Sequence, residues 1–340
     1  MNKILIFTGP SFKKNSGYRV RVNRITSHYT SNNVNHEVYC VDSFRTFIKG
    51  FLKTFDKQNK IILLENIGLV LIVLLNPIVY NKCVLDYHGS IYDASFRKDF
   101  LIRKQIYLFF EKVAVRYFKK IIVVSNAFKS KLVLDYKYWN VKPKILVIKN
   151  IPQIEMLNLL VPDPHHKDTN QLRLAYVGNN QTWQKIPELF DFIEKLNAVT
   201  SKKVKLTIAT NEKKWFYDYI DVNNVSFDTS VIHVTKEKLL QFLNLQDFLL
   251  MLRDEDEINQ VACPTKAIEY LLSYTPILVS KNLGDISDYV KHNNKGVILG
   301  YPWGCKENLN AILDFLKNYN RRPGLEKLLD QSDYNKILDL

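Results

Sequence analysis

FLLMLRDEDEINQVACPTKAIEYLLSYTPILVSK, residues 248–281, reads as strand, loop, helix and strand. Phe248–Leu252 is an apolar run with the length of a buried strand. Arg253–Gln260 is a charged loop. Pro264 stands where the first turn of a helix tolerates a residue without an N–H, and Thr265–Tyr274 carries helical periodicity. Pro276–Val279 resumes as a strand. Such a βαβ unit puts a helix N-terminus, with Thr265 and Lys266, at the carboxyl edge of a parallel sheet, where open α/β sheets bind ligands. The free amides and dipole there favour an anion, typically a phosphate. One turn on, Glu269 can face the same crevice and accept hydrogen bonds from the vicinal hydroxyls of a ribose. On spacing alone the plainer reading, a surface glutamate on an ordinary helix, is preferred.

Outward from this stretch, 340 residues suggest about two domains. A hydrophobic content of 46% and a charged content of 24% are those of a soluble globular protein. Cys40, Cys83, Cys263 and Cys305 are scattered, which argues against a disulfide scaffold or zinc site and fits a reducing cytoplasm. MNKILIFTG runs straight into a strand, unlike a signal peptide. Charge is the most informative bulk property. Residues 1–165 hold 26 Lys+Arg and 11 Asp+Glu, a net +15, whereas residues 166–340 hold 22 and 23, a net −1. The basic half therefore meets an anionic membrane surface, a phosphorylated acceptor or nucleic acid. No zinc finger, RRM signature or helix-turn-helix pattern supports nucleic acid.

In chain order, Lys3–Phe7 is a strand, and Thr8–Gly17 is a turn-rich loop before a helix from about Tyr18. Lys13, Lys14, Arg19 and Arg21 are phosphate or acceptor candidates. Lys13 and Lys14 read equally as solvated lysines on a mobile loop. Further strands fall at Glu37–Val41, Lys60–Leu64 and Cys83–Tyr87, and His88-Gly89 then opens onto the crevice. Ile67–Val79 falls short of the ~20 residues that span a bilayer and reads as a buried helix, with an interfacial segment as the alternative. Phe96–Lys120 predicts a long helix carrying Arg97, Lys98, Arg103 and Lys104, with Phe96, Phe100, Ile106, Phe109, Phe110, Val113 and Tyr117 toward one side. Two readings stand: a helix on an anionic membrane, or a core-packed helix with a solvated basic face. Ile121–Ser125 and Ile145–Ile148 are strands. The polar VPDPHHKDTN, residues 161–170, is the expected linker, with His165-His166 solvated.

The second half opens with a strand at Leu172–Val177. Gly178 after it lets a ligand approach the backbone. Strands follow near Val204–Ala209 and Val231–Val234. Trp215, Phe216, Tyr217 and Tyr219 read as core rather than a base-stacking cluster. A strand at Gly296–Leu299 and helices near Lys306–Tyr319 and Leu325–Leu338 close the chain.

Several of these segments resemble one family. Glu269-Tyr-Leu-Leu-Ser-Tyr-Thr-Pro276-Ile-Leu resembles the E-A-M-A-S-G-x-P-V-V segment of retaining family-4 (group 1) glycosyltransferases. Arg253-Asp254, Asn259, Val261-Ala262 and Pro264-Thr265-Lys266 are similar to a variant found in enzymes of bacterial surface polysaccharides. Asp86-Tyr87-His88-Gly89 resembles the D-x-H-G segment, Val124-Ser125-Asn126-Ala127 the V-V-S-x-A corner, and Asn150-Ile151-Pro152 the hinge. Gly178 to Lys185 resembles the Y-x-G…W-Q opening. Ile91-Tyr92-Asp93 stands where P-E-E often does. Asn179 replaces the usual arginine, which leaves that charge to Arg253 or Lys266. Val261 stands where the first of two paired glutamates belongs.

The resemblance implies the GT-B architecture: two Rossmann-like α/β domains, residues 1–160 and 171–322, facing each other across a cleft. Residues 323–340 would form a helix packing back on the first domain. It implies transfer of a sugar, with retention and without metal or other cofactor, from a nucleoside-diphosphate sugar, UDP-linked by preference. The acceptor would be a glycan or lipid-linked molecule of capsule, O-antigen or exopolysaccharide synthesis. The expected location is cytoplasmic, at the inner face of the plasma membrane. His88, Lys185, Arg253, Lys266 and Glu269 are the implied catalytic residues. Gly17, Gly178, Asn180, Asn259, Pro264 and Thr265 would bind the donor, and Arg19, Arg21, Arg97, Lys98, Arg103 and Lys104 the acceptor or the membrane. The alternatives are a non-catalytic sugar-nucleotide-binding or polysaccharide-assembly subunit, and a two-Rossmann sugar-nucleotide epimerase.

Overall fold

The computed structural model describes residues 3–10, 12, 17–89, 100–150 and 170–318. The described chain falls into two compact units, one up to Asn150 and one from Asn170 onward.

In the first unit β1 (Lys3–Thr8), α1 (Gly17–Ser31), β2 (His36–Cys40), α2 (Phe44–Lys53), β3 (Asn59–Leu64) and α3 (Val70–Leu74) alternate. They are followed by β4 (Cys83–Tyr87), α4 (Phe100–Tyr117), β5 (Lys120–Val123), α5 (Asn126–Asp135) and β6 (Ile145–Val147). The strands form a parallel sheet in the order β2-β1-β3-β4-β5-β6. Its central strands are continuous apolar runs because both faces are covered: Ile62, Leu63, Leu64, Val84 and Leu85 are fully buried.

The long basic helix differs from its expected form. Its described part starts at Phe100 and stops at Tyr117, because Lys119 N–H bonds back to Cys83 O (2.9 Å) and Lys120 opens β5. Phe96, Arg97 and Lys98 lie outside the described residues. The inward stripe is Phe110, Ala114 and Phe118, spaced four apart, whereas Ile106, Phe109 and Tyr117 are exposed. The apolar set therefore divides between core and surface. The 67–79 segment divides likewise. Val70, Ile72, Val73 and Val79 are buried, while Leu71, Leu75 and Ile78 point outward.

The second unit runs β7 (Gln171–Val177), α6 (Ile186–Val199), β8 (Lys203–Ala209), α7 (Lys213–Asn223), β9 (Asp228–Ile232), α8 (Lys236–Asn244) and β10 (Phe248–Met251). It continues with α9 (Glu257–Gln260), α10 (Thr265–Leu272), β11 (Ile277–Ser280), α11 (Gly284–His292), β12 (Gly296–Leu299) and α12 (Lys306–Asn318). Its parallel sheet has the order β12-β11-β10-β7-β8-β9, the doubly wound nucleotide-binding order read from the other edge. Strand β9 begins three residues before its expected start. Leu174, Leu206 and Phe248 pack on one face and Ala175, Leu249 and Ile277 on the other. Residues 161–169 of the expected linker, Lys13, Lys14 and the expected C-terminal helix lie outside the described residues.

Among the described residues no helix is long and apolar enough to cross a membrane.

Candidate functional site

Strands β7 and β10 pair through Phe248↔Leu174 and Leu249↔Ala175. Successive connections run away from this pair in opposite directions, which opens a crevice at its carboxyl end. Gly178 follows β7, and Arg253 follows β10. A Cβ at Gly178 would collide with Lys266 Nζ and lie 2.6 Å from Tyr176 OH. Glycine there is what allows the lysine to lie over the strand end. Lys266 Nζ sits 5.7 Å from the centroid of the Tyr176 ring. Burial, followed by the charge of Arg253, lowers its pKa to about 7 against the opposing pull of Glu269 and Glu212.

Helix α10 is fixed to the same strand end, because Tyr270 OH accepts the Val177 N–H at 2.9 Å. Pro264 is the N-cap, one place before the expected first turn, and among the described residues no side chain caps the helix. The first-turn amides at Thr265 and Lys266 face the anion-favouring end of the dipole. Arg253 is buried. Its N–H bonds to Ser280 Oγ (3.0 Å) and its Nη1 to Asn259 Oδ1 (3.4 Å), while its buried Nε has no partner among the described residues. A buried donor without an acceptor is costly, and here it stands beside an ammonium and a helix N-terminus. Glu269 is half-buried. Burial raises its carboxyl pKa, and Lys266 and then Lys236 oppose that rise.

The remaining predicted donor residues play different parts. Asn259 does not offer its amide outward: it is 1% exposed, and Nδ2 donates to Asp254 Oδ1 (2.5 Å) and to Asp254 O (3.1 Å). Together with its contact to Arg253, this makes it a strut of the 253–260 loop rather than a ligand for sugar hydroxyls. Asn180 is engaged too. Its N–H donates to Glu212 Oε2 (2.8 Å), and its amide donates to Glu212 and accepts from Trp215 Nε1. Lys185 has a left-handed backbone (φ 49°), and its Nζ lies 3.6 Å from Glu188 and 3.9 Å from Asp254. Phe216 is buried as expected, but Trp215 is 37% exposed and stacks on Tyr219 with centroids 5.3 Å apart. A separate groove between α11 and α12, lined by Lys281, Asp288 and Phe315, holds none of the predicted residues.

The first unit gathers a second polar cluster at its own carboxyl edge. His88 Nε2 lies 3.1 Å from Asp86 Oδ2. Arg21 is 3% exposed and grips both oxygens of Asp86 at 2.8 Å, with Nη1 also on Ile148 O (2.8 Å) and Asn150 Oδ1 (3.0 Å). This corrects its reading as an acceptor or membrane contact, because a guanidinium locked inside the fold reaches neither. Burial alone would raise the Asp86 pKa, but Arg21 and His88 outweigh it and hold the carboxyl well below the usual range. Gly17 opens α1 and Arg19 is exposed on it, while Arg103 and Lys104 are half-buried on α4.

Sequence reasoning passed over Glu65. It follows β3 and is fully buried, with Oε2 accepting Gly9 N–H at 2.8 Å. Its Oε1 and the neighbouring Thr8 Oγ1 have no partner among the described residues. Burial, helped by Asp86 and opposed by the Gly9 amide, raises its pKa to about 7. The signal was present in KIILL-Glu65, a polar residue ending a buried strand, the same argument that picked out His88. Tyr176 and Tyr270 were missed because an aromatic on a core face announces nothing about its hydroxyl.

No protein-family model matches the chain, and no curated protein does. Solved structures do. Anabaena HepE in complex with UDP and glucose is 12% identical over all of both chains, with a TM-score of 0.65. WaaG, a glycosyltransferase involved in lipopolysaccharide biosynthesis, is 13% identical over 98% of this chain and 93% of its own, with a TM-score of 0.64. A Listeria monocytogenes protein described as a UDP-N-acetylglucosamine 2-epimerase is 11% identical over 99% and 94%, with a TM-score of 0.56. These likenesses, with the two parallel sheets, show a two-domain Rossmann-like fold of the GT-B type.

Proposed function

We propose that the chain is a glycosyltransferase that moves a sugar from a UDP-sugar to a glycan or lipid-linked acceptor. The observation that carries this is the meeting of Gly178, Arg253, Lys266 and the start of α10 at one switch point, where among the described residues no side chain caps the helix and a buried guanidinium nitrogen has no acceptor. A diphosphate fits that set. The α10 amides, Lys266, Arg253 and Lys185 hold it and stabilise the charge that builds on the leaving group. Glu269 accepts from the ribose hydroxyls. The occurrence of UDP with HepE and the lipopolysaccharide role of WaaG support this donor and a surface-polysaccharide pathway.

In the proposed step the acceptor hydroxyl oxygen bonds to the anomeric carbon on the face the leaving group departs from. The bond from that carbon to the β-phosphate oxygen breaks, and the hydroxyl proton passes to that phosphate, so configuration is retained without a side-chain base. With Val261 buried where the family places a glutamate, the sugar hydroxyls lack one acid ligand. Cationic side chains do the work of leaving-group stabilisation, so chelator should leave transfer unchanged.

Radiolabelled UDP-hexoses test the reading. Glu269→Ala should lose most transfer; near-wild-type turnover would remove Glu269 from the site. The likeness to the epimerase favours a second reading, which product analysis separates: an epimerised donor without acceptor consumption supports it. Donor binding with neither hydrolysis nor transfer would mark a non-catalytic subunit.

A further inference from the structure

Helix α2 carries an apolar stripe that the fold does not cover. Phe44, Ile48 and Leu52, spaced four apart, are 80%, 42% and 61% exposed. Helix α3 and the turn after it add Leu75 and Ile78, 77% and 82% exposed. The two elements are tied together, because Asn76 Nδ2 donates to Thr54 Oγ1 at 3.0 Å. Leu52 and Leu75 each lie within two residues of that bond, on helices that pack against each other. The backbone beneath Phe44 is firmly set. Ser43 and Thr46 form a reciprocal cap, with Ser43 N–H on Thr46 Oγ1 (2.9 Å) and Thr46 N–H on Ser43 Oγ (3.3 Å). A rigid face with several large apolar side chains in water needs a partner.

Charge identifies the partner. Arg45 and Lys49 form the stripe beside the apolar one, and α2 (FRTFIKGFLK) contains no acidic residue. Helix α3 packs against α4, which brings Arg103 and Lys104 into the same layer. Apolar side chains flanked by basic residues, with the helix axis along the surface, suit insertion below the headgroups of an anionic bilayer. A second copy of the chain suits the face poorly, since a twofold contact would set these cationic stripes against each other.

We propose that the α2–α3 face, rather than α4 alone, docks this protein on an anionic membrane, with Phe44, Leu52, Leu75 and Ile78 entering the lipid. The inference stands whether or not the chain transfers sugar, since none of these residues belongs to the proposed donor site.

Co-sedimentation with phosphatidylcholine vesicles containing about one phosphatidylglycerol in three tests it directly. The wild type should bind these vesicles, bind pure phosphatidylcholine weakly, and be released by salt. Phe44→Ser/Leu52→Ser/Ile78→Ser and, separately, Arg45→Glu/Lys49→Glu should each weaken vesicle binding on the order of tenfold. Both variants should keep the wild-type melting temperature and its shift on adding UDP-glucose, which shows that fold and donor site are intact. Unchanged vesicle binding in both variants would overturn the proposal. So would a wild type that ignores anionic vesicles but forms a dimer in the ultracentrifuge that the serine variant abolishes.

Discussion

Lys266 is where the chemistry of the site meets solution pH. Its amine, lowered to about 7, is largely neutral in the ligand-free protein under mildly alkaline conditions. A bound diphosphate would restore the charge by raising that pKa, so binding takes up a proton above about pH 7. Affinity for UDP-glucose should therefore be level below pH 7 and fall by up to about tenfold per pH unit above it. Calorimetry in buffers of different ionisation enthalpy measures both effects. A flat profile to pH 9, or the same slope in Lys266→Met, would place the ammonium away from the phosphates. Gly178→Ala presses a methyl into Lys266 and Tyr176. It should cost about 1–3 kcal/mol of stability and weaken donor binding, read by denaturant titration and thermal shift. Glu65 offers a test in the first unit. Its folded pKa of about 7 exceeds the ordinary value of 4.5, so its contribution is fully present below pH 4.5 and disappears as pH rises through 7. The loss is about 3 kcal/mol at most. Glu65→Gln should remove that slope between about pH 4.5 and 7, and an unchanged slope would assign it elsewhere. Gly178, Arg253 and Lys266 were legible in the sequence because each stands next to a strand–helix junction, and glycine is scarce in this chain. The internal engagement of Arg21 and Asn180 was not, because their partners Asp86 and Glu212 lie far along the chain. That of Asn259 was not, because residue type and spacing do not say whether a loop amide turns in to Asp254 or out to solvent.

Helix α10 and strand β7 act together, and one hydroxyl joins them. Tyr270→Phe removes the acceptor for the Val177 N–H while keeping the ring. That leaves a half-buried donor unpaired at about 1 kcal/mol, and it loosens the tie between the strand end and the helix whose first turn forms the proposed phosphate site. Urea unfolding should show the loss, with weaker UDP-glucose binding alongside it. A variant as stable as the wild type would mean that the amide finds another acceptor. The buried strands of both sheets were legible because runs such as Ile61–Leu64 and Phe248–Met251 carry no polar interruption. Surface helices were harder to read. In α4 the basic and aromatic residues alternate too densely for periodicity to say which aromatics turn inward, and the spacing of Phe110, Ala114 and Phe118 decides it only once the sheet is in place. The 67–79 segment was uniformly apolar in sequence, so nothing there distinguished the buried Val73 from the exposed Leu75.

For the molecule as a whole, the two βα series and the family resemblance pointed to two Rossmann-like folds. The sheet orders bear that out, each with a switch point near the centre of its sheet. Residues 1–165 carry a net +15, and the exposed α2–α3 face adds apolar contact to that field. Identity of 11–13% to structures of the same fold accounts for motifs that give the architecture but not the sugar, because a backbone scaffold persists while the residues on it differ. The decisive experiment is a crystal structure with an intact UDP-sugar. The pyrophosphate should lie against the first-turn amides of α10, within hydrogen-bond reach of Lys266 and the Arg253 Nε, with the ribose on Glu269. A nucleotide bound elsewhere, with those amides and that nitrogen still lacking an anion, would contradict the assignment.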